Sequence, residues 1–180
     1  MFMSALPKLD HQGILDSFKI IQDEYRSITL DRYFDYPYND AGIDDLLKQP
    51  INTEYFWQVY PLMYLYKPWP GRSSQTIDLL MSLNVRPLLA TFSILRPHSK
   101  IDKHQDHDES AVNDFTTTVV KYHLTLDTIP GAGLVVGDED RHLKSGDLNI
   151  FDESIDHWAY NNSNKVRGAL IISFLRKDLE

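Results

Sequence analysis

Residues 104–106 read His-Gln-Asp, inside KIDKHQDHDES (100–110), where two histidines and four acidic side chains fall within one short stretch. If His104 and Asp106 end a strand, side chains two apart project from one face, and an imidazole and a carboxylate can reach one ion together. The third ligand must then come from elsewhere, and His157, in IFDESIDHWAY, opens a later strand-like segment. Two histidines and one carboxylate on one face leave three coordination positions free, the arrangement of non-haem Fe(II) oxygenases. The competing reading is a solvated acidic loop, in which His98, Asp102, His107, Asp108 and Glu109 offer other ligands.

A second set of residues bears on the choice. Arg167 lies on a segment, VRGALIISFL, where 167, 169, 171 and 173 share a face, and its neighbours Ala169 and Ser173 are small enough to leave room for a ligand. A guanidinium pointing into a barrel must find an acid, and its planar fork suits a carboxylate. The alternative is an arginine at a hairpin mouth reaching solvent. Lys121 and His123 also share a face and can look into the same interior. FDES (151–154) reads as a turn positioning His157 rather than as paired catalytic carboxylates. His98 and His142 read as surface histidines, and Trp158, next to His157, should point away from the metal. The aromatics of YFWQVYPLMYLYKPWPG read as core, with a share in a substrate-facing wall.

These side chains need elements to hold them. The spacing of Ile14, Leu15, Phe18, Ile21 and Ile28 predicts one helix, with Asp10 available as its cap. A short helix is expected around 42–48, and another after PGRSS, where a serine can cap QTIDLLMSL. From residue 86 the texture changes to strands at about 88–96, 117–127, 133–137, 147–151, 157–161 and 166–175, separated by the turn-forming TIPGAG, KSGD and NNSNK. That spacing suggests an antiparallel sandwich or barrel braced by the preceding helices, an α+β chain that is mainly β.

Composition sets outer bounds. The 180 residues fit one domain (1–180), with a helical and irregular part over 1–85 and a strand-rich core over 86–177. The charge of −8 and the absence of a basic stripe argue against a nucleic-acid partner. With no cysteine, a thiolate metal site, a cysteine nucleophile and a disulfide framework are excluded. No apolar run reaches the roughly 18 residues that span a bilayer. Pro7 and Lys8 interrupt the opening segment too early for a secretory core, so the expectation is a soluble, cytoplasmic protein without a membrane partner.

Residues 90–176 resemble the aspartyl/asparaginyl β-hydroxylase-like family of 2-oxoglutarate-dependent Fe(II) oxygenases, which includes free proline cis-hydroxylases. The matching pieces, in the family's order, are FSILRP, HQD, KYHLTLDT, SGDLNIFDESIDH and VRGALIISF. The resemblance implies a double-stranded β-helix (jelly-roll, cupin-like) barrel, with Fe(II), 2-oxoglutarate and O2 as cofactor and cosubstrates. It implies that His104 and His157 bind iron, that Arg167 grips the distal carboxylate of 2-oxoglutarate with help from Ser93, and that His123 contacts the cosubstrate. Lys121 falls where the family commonly has arginine at the cosubstrate's other end, keeping the charge and losing the bidentate fork. The best-known β-hydroxylases of the family have a small residue in place of Asp106; this chain keeps H-x-D, as the proline hydroxylases do. The resemblance therefore implies a full facial triad, no halogenation, and hydroxylation of an amino acid, free or within a peptide or protein, proline-like or aspartyl/asparaginyl. The acidic stretch between Asp106 and Lys121 is expected to form part of a lid. Two rivals remain at this stage, a non-catalytic jelly roll that binds a carboxylate and a cupin-type metalloenzyme that does not use 2-oxoglutarate.

Overall fold

A computed structural model describes residues 1–35, 56–106, 119–127 and 129–180. The helix expected at 42–48 and the acidic stretch following Asp106 lie outside the described residues.

Two antiparallel sheets face each other. The larger one contains β1 (Phe34–Asp35), β2 (Trp57–Tyr64), β4 (Leu89–Leu95), β11 (Arg167–Leu175), β6 (Val119–Thr125) and β9 (Leu148–Asp152) in that order, with β3 (Lys67–Pro68) paired to β2. The smaller one runs β5 (Ser99–His104), β10 (His157–Asn161), β7 (Ala132–Val136), β8 (Glu139–His142). From β4 onward the chain passes back and forth between the two sheets, with β7 and β8 forming a hairpin within the smaller one. This is the winding of a jelly roll. Among the described residues the sheets do not close into a continuous barrel, and β8 and β9 are their edges on one flank.

Because side chains alternate along a strand, each face of the larger sheet has its own composition. The outward face carries Tyr60, Phe92, Ile94, Tyr122, Leu124, Leu170, Ile172 and Phe174, and the N-terminal helices cover it with Ile14, Ile21, Ile77 and Leu80. Tyr25 packs on this face, its ring tilted 57° to that of Phe92, and a Cβ at Gly168 would come within 2.1 Å of its hydroxyl oxygen. Glycine in VRGAL is therefore a packing requirement that seats a helix directly behind Arg167. A smaller apolar cluster, including Leu95, Leu134, Val136, Phe151 and Ala159, joins the two inward faces.

The helix expected as one piece is two, Gln12–Asp16 and Phe18–Ser27, broken at Ser17. Asp10 does not cap it. His11 holds the cap position without a side-chain bond, and the Asp10 amide instead donates to Asn84 Oδ1 at 3.0 Å. The serine cap of Gln75–Ser82 is present: Ser74 Oγ accepts from the Ile77 amide at 2.9 Å. Six expected strands appear as β4, β6, β7, β9, β10 and β11. The aromatic segment contributes β2, and β5 and β8 are further additions. Among the described residues, no helix is long and apolar enough to cross a membrane.

Candidate metal and carboxylate site

His104 ends β5 and His157 begins β10, and their Cα positions pair across the smaller sheet. Regular alternation would not turn both inward. Ile101 pairs with Ala159 and faces the interior, so three residues later His104 should point out. The register shifts between His157 and Ala159, setting Asp102 and Lys103 of β5 against Trp158 alone. This bulge reverses the parity of β5 and re-aims His104 toward His157. The two rings end with centroids 4.3 Å apart.

Asp106 lies two residues beyond the strand, its amide bonded to the Glu153 carbonyl at 3.1 Å. Its Oδ1 is 3.4 Å from His104 Nε2 and its Oδ2 3.4 Å from His157 Nε2. One ligand atom from each of the three residues falls within 4.8 Å of the others. Donor atoms about 2.1 Å from a shared ion and at right angles to each other lie about 3 Å apart, so the spacing fits a metal.

The tautomers fit as well. His104 Nδ1 lies 2.7 Å from the Asp102 carbonyl and His157 Nδ1 2.8 Å from the Ile155 carbonyl. A carbonyl only accepts, so each Nδ1 carries the proton and each Nε2 presents its lone pair inward. Burial lowers both imidazoles to about 4, leaving them neutral near pH 7. Lys121 on β6 contacts Asp106 Oδ2 and lies 3.5 Å from Glu153 Oε2. Glu153 is a residue that the turn reading of FDES set aside. The turn reading holds for Asp152, whose Oδ1 accepts from the Ser154 amide and hydroxyl, but Glu153 itself is buried toward Lys121.

The second half of the site lies on the inward face of the larger sheet. Arg167 is 5% exposed, and one of its terminal nitrogens donates to His123 Nε2 at 2.9 Å. Its guanidinium reaches past Ala169, whose methyl leaves the space, to the row where His123 pairs with Ile171. Burial pulls the Arg167 pKa down to about 10, and burial followed by the adjacent guanidinium holds His123 well below the usual imidazole range. Among the described residues no carboxylate pairs with Arg167, and its Nε has no partner. Ser93 stands opposite Ala169 on the same face and accepts from Trp57 Nε1 at 3.0 Å, leaving its hydroxyl proton to donate. The Trp57 ring lies 6.2 Å from that of His104 and so forms part of the wall next to the histidines.

Other expectations can be placed too. Trp158 faces outward, where Lys103 Nζ lies 5.7 Å from its ring. His98 and His142 are exposed and take part in surface contacts with Asn164 and Tyr160.

The aspartyl/asparaginyl beta-hydroxylase family model matches residues 16–177. Among solved structures, an oxidoreductase of the 2OG-Fe(II) oxygenase family from Burkholderia pseudomallei superposes with a TM-score of 0.51 at 14% identity, over 67% of this chain and 66% of that one. A Photorhabdus luminescens protein aligns at 19% identity and TM-score 0.46 over 70% of this chain and 81% of its own. A cupin 2 conserved barrel domain protein from Salinispora arenicola aligns at 14% and 0.41 over 73% and 90%. No curated protein matches the chain.

Proposed function

The chain belongs to the aspartyl/asparaginyl beta-hydroxylase family, and on that premise we propose that it is a 2-oxoglutarate- and Fe(II)-dependent dioxygenase hydroxylating an amino acid, free or in a peptide or protein. The observation that carries this reading is the buried Arg167. A guanidinium in the interior, without an acid of its own among the described residues, calls for an acidic ligand, and it faces the same interior as His104, Asp106 and His157. A metal-only cupin has no use for it.

His104, Asp106 and His157 would hold the iron, their donor atoms already converged. Iron held there would supply the oxidative decarboxylation of 2-oxoglutarate by O2 to succinate and CO2, coupled to hydroxylation of a substrate C–H bond. The protein's part is positioning. Backbone carbonyls hold both rings in the tautomer that points Nε2 inward. Lys121, in contact with Asp106 and close to Glu153, keeps that carboxylate turned toward the histidines and offers a cation at the metal end of the cosubstrate. Arg167, His123 and Ser93 grip the distal carboxylate. Lys121 and His123 are two residues apart on one face, about 7 Å, a span suited to a five-carbon diacid. Anchoring both ends would leave the cosubstrate one orientation relative to the bound amino acid.

Anaerobic titration of the metal-free protein with Fe(II) and then 2-oxoglutarate tests the proposal. A weak visible charge-transfer band that requires both supports it. Iron binding without the band on adding 2-oxoglutarate overturns the cosubstrate assignment, and absence of iron binding overturns the enzyme reading.

A further inference from the structure

Asn149 is a buried polar residue that none of the roles above uses. It sits on β9 directly opposite His123 of β6, on the inward face of the larger sheet, and is 4% exposed. Its amide has a defined orientation. Arg141 of β8 donates from Nη1 to Asn149 Oδ1 at 3.1 Å, and arginine can only donate, so the oxygen faces Arg141 and Nδ2 faces the other way. That Nδ2 is buried and, among the described residues, has no partner. Arg141 is itself held: its guanidinium carbon lies 3.8 Å from the centre of the Phe2 ring, and Nη2 is 3.6 Å from Glu139 Oε2. The contact crosses the open flank between β8 and β9, beside a cavity of about 370 Å³.

Two of the neighbouring unpartnered atoms can only donate, and the third, a hydroxyl, can donate as well as accept. Arg167 Nε is a donor, and His123 Nδ1 is one too, because its Nε2 accepts from Arg167. Thr125 Oγ1, two residues from His123 on the same face, can also donate. A buried polar atom without a partner costs about 1–3 kcal/mol. Three nitrogen donors and a hydroxyl able to donate, gathered on one face without a carboxylate partner among the described residues, specify an acceptor-rich ligand. Four donors exceed what one arginine fork supplies to a carboxylate, whose two oxygens accept about four hydrogen bonds.

We propose that Asn149 is a cosubstrate-binding residue of this chain. It donates through Nδ2 to the distal carboxylate held by Arg167, and Arg141 acts as the positioning residue that fixes which way the amide points. The proposal rests on the oxygenase reading and deepens it. Asn149 makes the pocket select for a 2-oxo acid with a second carboxylate, and Arg141 ties that selectivity to the flank where the two sheets meet.

The test is calorimetric titration of the Fe(II)-loaded protein, without oxygen, with 2-oxoglutarate and with 2-oxobutyrate, which lacks the distal carboxylate. Asn149→Leu is expected to weaken 2-oxoglutarate about tenfold and to leave 2-oxobutyrate within about twofold. Asn149→Asp keeps the size and the contact with Arg141 but replaces the donor by a like charge, so it should weaken 2-oxoglutarate further, about a hundredfold. Arg141→Met should reproduce a fraction of the Asn149→Leu loss, again for the dicarboxylate only. Folding of each variant is checked by circular dichroism, and Asn149→Asp serves where Asn149→Leu does not fold. Equal weakening of both ligands would make Asn149 merely structural and overturn the inference. Unchanged 2-oxoglutarate affinity in both Asn149 variants would overturn it too, while the oxygenase reading would stand if Arg167→Ala still abolished the preference for the diacid. A wild-type protein with no such preference would bring down the oxygenase reading and this inference together.

Discussion

The two faces of the larger sheet belong to the same strands and differ in almost everything else. On the outward face, Phe92, Tyr122, Leu124, Leu170, Ile172 and Phe174 are fully buried against helices. On the inward face these strands and β9 present Ser93, Lys121, His123, Thr125, Asn149 and Arg167, three of which keep a buried nitrogen without a partner among the described residues. Apolar burial, worth about 25 cal/mol per Å², is therefore concentrated on the side away from the candidate site. This division lets the inward face hold a buried cation and unsatisfied donors, each of which reduces stability. The apolar layer and the proposed ligand site lie on opposite sides of one sheet, and the strand's period of two is what allows it.

The largest effect expected is on the outward face. Phe92→Ala opens a cavity in the fully buried layer under Tyr25 and Tyr60. It should cost about 3–5 kcal/mol in chemical denaturation, while the protein that remains folded binds Fe(II) as before. Loss of metal affinity in step with stability would mean that the faces are coupled. The opposite split is expected for Asp106→Ala. Removing a ligand should weaken Fe(II) by at least about a hundredfold, beyond the 10–100-fold typical of supporting residues, with the denaturation midpoint almost unchanged. Retained affinity would show that two histidines suffice.

The same division explains what could be read from the sequence. The outward face produces clean alternation in LLATFSILR and VRGALIISFL, so β4 and β11 were legible to within a residue or two. β5 was not. Its sequence SKIDKH has one apolar residue, because it lies at the rim of the smaller sheet, and a bulge interrupts its alternation. The convergence of His104, Asp106 and His157 was inferred by supposing a strand end at 104–106 and from the family resemblance, and the device that aims His104 is a register shift with no sequence signature. Glu153 was hidden because a turn motif accounts for Asp152 and Ser154 on either side of it. Asn149 was hidden because an asparagine in a strand announces nothing until its neighbours are known. The split between Gln12–Asp16 and Phe18–Ser27 was masked because apolar spacing continues across the break.

Arg167→Met probes the cost carried by the inward face. Burial lowers the pKa of this cation in the fold, so the protonated form is disfavoured by folding at every pH below about 10, including neutral pH. Replacing it by an apolar side chain of similar length removes that penalty. The lost hydrogen bond to His123, worth about 1 kcal/mol, is the smaller term. Thermal unfolding without ligand should therefore shift upward, by about 2–4 °C for each kcal/mol gained, while 2-oxoglutarate no longer binds. A lower Tm would mean that Arg167 is a structural residue and that its interior position is not held for a ligand.

The smallest effect concerns the helix that covers the outward face. Ser74 accepts from the Ile77 amide, and Glu24 Oε2 accepts from the amide and hydroxyl of Thr76, so two side chains satisfy the first turn of Gln75–Ser82 and tie it to the preceding helix. Ser74→Ala removes one of these caps and should cost about 1 kcal/mol. Because Ile77 and Leu80 of this helix pack into the layer behind β2 and β4, the loss is transmitted to the outward face alone. Urea denaturation should register the change, and Fe(II) and 2-oxoglutarate affinities should not. If a cap this far from the site altered either affinity, the two faces would be mechanically linked through the sheet, and the separation argued from strand alternation would hold for composition but not for energetics.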